Sequence, residues 1–129
     1  MKKVIIASGP VIVRDKKVLL NKSGSDDFWK FCGGKVEKNE NLEETATREF
    51  REEMGAEIKI LNKKPFIIHV KKLGDEEKDV LLAHYLADFE GKIKAGKEVI
   101  EWKWFNVNDL PTDIAPNIIP TLRYFEYIK

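Results

Sequence analysis

Three glutamates carry the first chemical signal in this chain: Glu49, Glu52 and Glu53, all within one five-residue stretch. Leu42, Ala46, Phe50 and Met54 recur every fourth residue around them. At about 100° per residue that is one apolar stripe of a helix. On such a helix Glu49 and Glu53 are i, i+4 neighbours at the margin of the stripe, and Glu52 lies beside Glu49 at i, i+3. Like charges so placed repel by about 0.3 kcal/mol per pair in water, and by more when partly buried. Arg48 and Arg51 can relieve a solvated acidic face. They account less well for Glu53, which follows the core margin. A divalent cation resolves the repulsion, and clustered carboxylates are the hard oxygen ligands that Mg²⁺ or Mn²⁺ prefers.

A glycine pair, Gly33-Gly34, precedes this helix. Such a pair is ordinarily a turn. Beside an acidic helix it also lets a backbone carbonyl approach the same cation, since glycine permits tight turns and close approach. Cys32, just before the pair, is read as a small buried hydrophobe; no matched histidine accompanies it as a nucleophile would require.

Other elements must hold these groups in place. Asn41 with Glu44 three residues later forms a capping-box start, and Gly55 supplies a left-handed stop, which predicts a helix over Leu42–Met54. Residues 4–13 are apolar and β-branched, with Gly9-Pro10 predicting a kink or bulge. Asp15-Lys16-Lys17 is a turn to a second strand at 18–20, and 28–31 alternates as a short strand. Residues 58–70 and 80–89 form two strand runs joined by a turn at 71–75, with Pro65 marking an edge or break. A late strand spans 99–107. A closing helix is expected over Asn117–Ile128, with Pro120 tolerated in its first turn. Strands with one central and one terminal helix argue for a mixed sheet flanked by helices.

Composition narrows the function. The chain has 129 residues, 43% hydrophobic and 35% charged, with a formal net charge of +1. That is material for one domain over 1–129 and too apolar for a disordered tail. The balanced charge argues against a nucleic-acid coat. No apolar run of about 18 residues offers a membrane span. The single cysteine excludes an internal disulfide, so a cytoplasmic location is expected. Oligomeric state is open between monomer and homodimer.

Gly34, five residues, Glu40, seven residues, then Arg48-Glu49-Phe50-Arg51-Glu52-Glu53-Met54-Gly55-Ala56 together resemble the Nudix box, the signature of MutT-like pyrophosphohydrolases. Given this composition, chance produces the pattern with a probability on the order of one in a million. The resemblance implies an α/β/α sandwich with a mixed β-sheet between helices. It implies metal binding by Glu52 and Glu53, and metal binding or water orientation by Glu49. It also implies a carbonyl ligand from Gly34, a supporting Glu40–Arg48 salt bridge, and Gly55 closing the box. Many members add a glutamate from a loop before the late strand; Glu98 fits, with Glu101 as the alternative. Lys35 is a candidate for phosphate, equally readable as a solvated lysine, and Lys22, at the end of the second strand, is a weaker one. Cys32 stands where the family usually has proline, and Ala56 where a larger aliphatic residue is common.

The implied reaction is Mg²⁺- or Mn²⁺-dependent hydrolysis of a phosphoanhydride in a nucleoside diphosphate linked to another group, with Glu49 or Glu98 handling the proton of the attacking water. In the MutT-like nucleoside triphosphate group an asparagine placed like Asn117 reads the base; an N-cap is the other reading. His69 and His84 are read as structural. Pro65 comes too early for the ADP-ribose signature and Tyr85 too late for the dinucleoside-polyphosphate one. The preferred substrate is therefore a nucleoside triphosphate, 8-oxo-dGTP among them. The alternatives are an ADP-ribose, nucleotide-sugar or dinucleoside-polyphosphate hydrolase, and a non-catalytic nucleotide-binding module.

Overall fold

The structure is a computed structural model that describes residues 3–72 and 78–129. Its strands are β1 (Lys3–Arg14), β2 (Lys17–Ser23), β3 (Gly34–Lys35), β4 (Ile58–Ile60), β5 (Phe66–Lys72), β6 (Lys78–Phe89) and β7 (Val99–Asn106); its helices are α1 (Leu42–Met54) and α2 (Ile118–Tyr124). The seven strands form one sheet with β1 and β6 at its centre, paired in parallel from Lys3↔Lys78 to Ile12↔Ala87. Every other pairing between strands is antiparallel.

The two helices cover opposite faces. Alternation along β1 sends Ile12 to α1, where it packs with Phe50, Met54, Ala87 and Phe89. Val11 goes to the other face, with Val18, Leu20, Ile118 and Leu122. Residues one apart on a strand point to opposite faces, so one β-branched strand serves both cores. The result is the α/β/α sandwich with a mixed sheet.

The capping box forms as expected: Asn41 accepts from the Glu44 N–H, Glu44 answers on the Asn41 N–H, and Gly55 closes α1 at φ 69°. Several other expectations are corrected. Gly9-Pro10 does not kink β1, which stays paired with β6 through both residues. Gly9 is instead a crossing point, since a Cβ there would lie 1.9 Å from the Cys32 carbonyl oxygen. The break expected at Pro65 is present: the run 58–70 is two strands, β4 and β5, both paired with β6 and separated over 61–65. The turn expected at 71–75 lies partly outside the described residues. Residues 28–31 make only isolated bridges, Asn21↔Lys30 and Trp29↔Ile114. The closing helix stops at Tyr124, and Glu126 adopts a left-handed φ of 66°. The turn at Asp15-Lys16 has positive φ at both residues, the conformation that a tight two-residue hairpin demands even without glycine.

Candidate active site

Arg48 organises the acidic face of α1. Its Nε and Nη2 donate to the two Glu40 carboxylate oxygens at 2.7 and 3.0 Å. Its Nη1 donates to Glu49 Oε1 at 2.8 Å and reaches Glu52 Oε1 at 3.3 Å. Nη2 also donates to the Lys35 carbonyl at 3.1 Å, which ties the loop after Gly34 to the helix. The bidentate geometry suits guanidinium and is closed to lysine. Arg48 holds the Glu40 carboxyl down to about 2. Glu40 thus ties the segment before α1 to the helix through Arg48 and Thr45.

Glu53 has a different environment. Its Oε1 accepts from the Gly33 N–H at 2.8 Å, at the inner end of the cleft. Burial pushes its carboxyl up to about 8, against the pull of that hydrogen bond and with a further push from Glu49. Burial also raises Glu49, against the opposing pull of Arg48. The glycines make this packing possible. Gly33 sits at φ 152°, and a Cβ on Gly34 would lie 2.4 Å from Glu49 Oε1. The Gly-Gly backbone and the carboxylates of α1 are therefore in van der Waals contact.

A loop from β6 to β7 closes the other side. Lys94 N–H donates to the Met54 carbonyl at 2.7 Å and Gly96 N–H to the Glu53 carbonyl at 2.8 Å. These bonds occupy carbonyls at the end of α1 that the helix itself leaves unpaired. A Cβ on Gly96 would lie 2.3 Å from the Glu52 carbonyl oxygen, so this contact demands glycine. The docked loop brings Glu98 to the cleft, where its carbonyl accepts from the Gly24 N–H at 2.9 Å.

The resulting open cleft of about 430 Å³ is lined by Glu49, Glu52, Glu53, Glu98, Lys30 and Lys97, with Ser23, Gly33, Gly96 and Val99. Four of the expected carboxylates converge there. Glu101 sits opposite Lys22 on β7, outside this lining. Lys22 pairs with Asp113 at 3.4 Å and lies over the Trp29 ring, and the exposed Lys35 engages Arg48 through its carbonyl; neither lines the cleft. Asn117 is buried at the head of α2, makes no side-chain cap bond, and meets His84 instead. Lys30 and Lys97 are the cations that sequence reasoning missed. A signal for Lys30 existed: Trp29 and Phe31 both enter one core, so the residue between them faces the other way.

The side-chain donors of the cleft are those a hard divalent cation prefers, carboxylate oxygens without thiolate or imidazole, and Gly34 adjoins the cleft through its contact with Glu49. In the arrangement shown, no three acidic, histidine or cysteine side chains among the described residues are gathered tightly enough to hold one ion. Glu49 is turned to Arg48 and Glu53 to Gly33. The fit is one of chemistry and proximity, and the carboxylates must rotate to meet an ion.

The family model described as NUDIX domain matches residues 5–125. CTP pyrophosphohydrolase of Escherichia coli K12 is 30% identical, with 98% of this chain and 95% of that protein covered. ADP-ribose pyrophosphatase of Methanocaldococcus jannaschii is 32% identical over 82% of this chain and 64% of its own length. Among solved structures, the E. coli ORF135 protein superimposes with a TM-score of 0.72 at 28% identity, covering 96% of this chain and 89% of that one. Nudix hydrolases generally use divalent metal ions and act on pyrophosphate bonds in nucleotides. With the box residues gathered on α1 and the match spanning both helices, this chain belongs to the Nudix hydrolase family, as an enzyme acting on pyrophosphate linkages.

Proposed function

We propose that the chain hydrolyses the phosphoanhydride of a nucleoside triphosphate with Mg²⁺ or Mn²⁺, using the cleft between α1 and the loop before β7. The single observation that carries this is the convergence of Glu49, Glu52, Glu53 and Glu98 on one open cleft with Lys30 and Lys97. When bound there, a divalent cation supplies charge neutralisation for the phosphates and a more acidic water. Glu52, Glu53 and the Gly34 carbonyl hold the ion, with Glu49 as a further ligand or as the group that orients the water. Glu98 takes the proton of the attacking water, which breaks the P–O bond in line with the leaving phosphate. Lys30 and Lys97 face the phosphates as fixed positive charge. Glu40, Arg48 and Gly55 hold the box in shape, and Asn117 meets the nucleobase.

Two observations bear on the substrate. CTP pyrophosphohydrolase is a relative over nearly the whole chain, which favours a nucleoside triphosphate. The ADP-ribose pyrophosphatase relative keeps a diphosphate-linked sugar as the second reading. All four box glutamates are present, which disfavours a non-catalytic binding module. Among the described residues no helix is long and apolar enough to cross a membrane. The test is a panel of nucleoside triphosphates, ADP-ribose, nucleotide sugars and dinucleoside polyphosphates with Mg²⁺ or Mn²⁺, with products resolved to locate the broken bond. Turnover of a triphosphate to monophosphate and pyrophosphate is expected; no turnover of any substrate would overturn the proposal.

A further inference from the structure

His84 sits in the middle of β6, only 4% exposed, between the rings of Phe31 (centroids 5.2 Å apart) and Phe66 (6.5 Å). Its Nε2 lies 3.1 Å from Nδ2 of Asn117. In this amide orientation Nδ2 donates, Nε2 accepts and the ring proton belongs on Nδ1. Burial holds the imidazole neutral, its pKa lowered to about 4. His84 Nδ1 is buried without a partner among the described residues. The Thr121 hydroxyl donates to the Asn117 backbone carbonyl at 2.6 Å, an i to i−4 bond that secures the first turn of α2.

His84 is the group that orients the Asn117 side-chain amide. One Nδ2 hydrogen is committed to His84, while Oδ1 accepts from no group among the described residues and is not sealed from solvent. A half-buried apolar floor adjoins the pair on the same sheet face. Val80 and Leu82 alternate with His84 on β6, and Val70 and Ile68 stand opposite them on β5. Such a floor offers apolar area against which a planar ring can lie, beside one polar edge group.

We infer that His84 is a positioning residue that fixes the polarity of the Asn117 amide, so that the site takes cytosine or adenine in preference to uracil or guanine. This rests on the reading that Asn117 meets the nucleobase. Oδ1 accepts from an exocyclic amine, and the second Nδ2 hydrogen reaches the ring nitrogen beside it. Cytosine and adenine present that amine-and-nitrogen pair. On the edge that carries position 4 of a pyrimidine or position 6 of a purine, uracil and guanine present the reverse, a keto oxygen beside an N–H, which the amide would match only by flipping. A flip sets Oδ1 against the lone pair of Nε2 unless the imidazole changes tautomer.

The test compares kcat/KM for CTP against UTP and ATP against GTP with Mg²⁺, in wild type, His84→Leu and His84→Gln. Wild type should favour the amino base of each pair at least about tenfold. Both variants free the amide to flip and should bring each ratio to within about threefold, through KM more than kcat. If no triphosphate is turned over, which counts against the activity itself, the same ratios are read from binding of CMP, UMP, AMP and GMP by chemical-shift titration. Independently of either, ¹⁵N NMR of the wild-type histidines should find the Nδ1–H tautomer at His84. Equal use of the paired bases, a keto preference, ratios unchanged in the variants, or an Nε2–H tautomer would each overturn the inference and leave the family-level chemistry intact.

Discussion

Replacing Glu53 by glutamine should stabilise the metal-free protein while removing its activity. The carboxyl ionises near 4.5 when unperturbed and near 8 in the fold, because burial penalises its charge. A raised carboxyl pKa means that the native state holds its proton more tightly than the unfolded chain. The native state therefore loses relative stability as pH climbs from 4.5 to 8, and the loss is complete above 8. At about 1.36 kcal/mol per pH unit, the penalty at pH 7 is about 3 kcal/mol. Glutamine keeps the shape and avoids the ionisation, but its bond to the Gly33 N–H is weaker than a carboxylate's, by about 1 kcal/mol. A net gain of about 2 kcal/mol at pH 7, rising to about 3 kcal/mol at pH 8, is expected. The assay is urea unfolding in EDTA between pH 5 and 9, with the variant's advantage growing as pH rises. Mg²⁺ should restore stability to wild type and much less to the variant, by mass action on the folded state. Turnover in the variant should fall at least about a hundredfold. A variant that is less stable than wild type at pH 8, or whose stability tracks pH identically, would refute the account of Glu53.

Other perturbations separate the remaining roles. Gly34→Ala places a methyl 2.4 Å from Glu49 Oε1 and should displace that carboxylate, lowering kcat at least about tenfold; Mg²⁺ titration and steady-state kinetics check it. Lys30→Met should raise KM for a triphosphate about tenfold while leaving Mg²⁺ affinity in the absence of nucleotide no weaker, since a removed cation cannot weaken cation binding. Glu98→Gln should lower kcat at least about tenfold, whereas Glu101→Gln, off the cleft lining, should leave it unchanged. Arg48→Met strips Glu40 of its bidentate partner and should destabilise the fold by about 1–3 kcal/mol, read as a lower urea midpoint.

Much of α1 and its chemistry was legible in the sequence because helices are local. The capping box, the apolar stripe at every fourth residue and the stop at Gly55 all fall within one fifteen-residue stretch, and the carboxylate cluster follows from the helical repeat. Chain order likewise showed that Glu98 precedes the late strand. What it left open was which distant backbone would meet the helix. Gly96 reaching the Glu53 carbonyl decides for Glu98 over Glu101 at the cleft, and that contact spans more than forty residues. Gly9, read as a kink, proves to be the point where the Cys32 backbone crosses β1. Asn117, read as a base reader or a helix cap, caps nothing and is held by a histidine on the sheet. Local spacing along the chain determined the helix and its acidic face. Packing between strands remote in sequence decided what that face encloses, because close approach of backbones and the burial of a polar side chain are properties of the assembled layers.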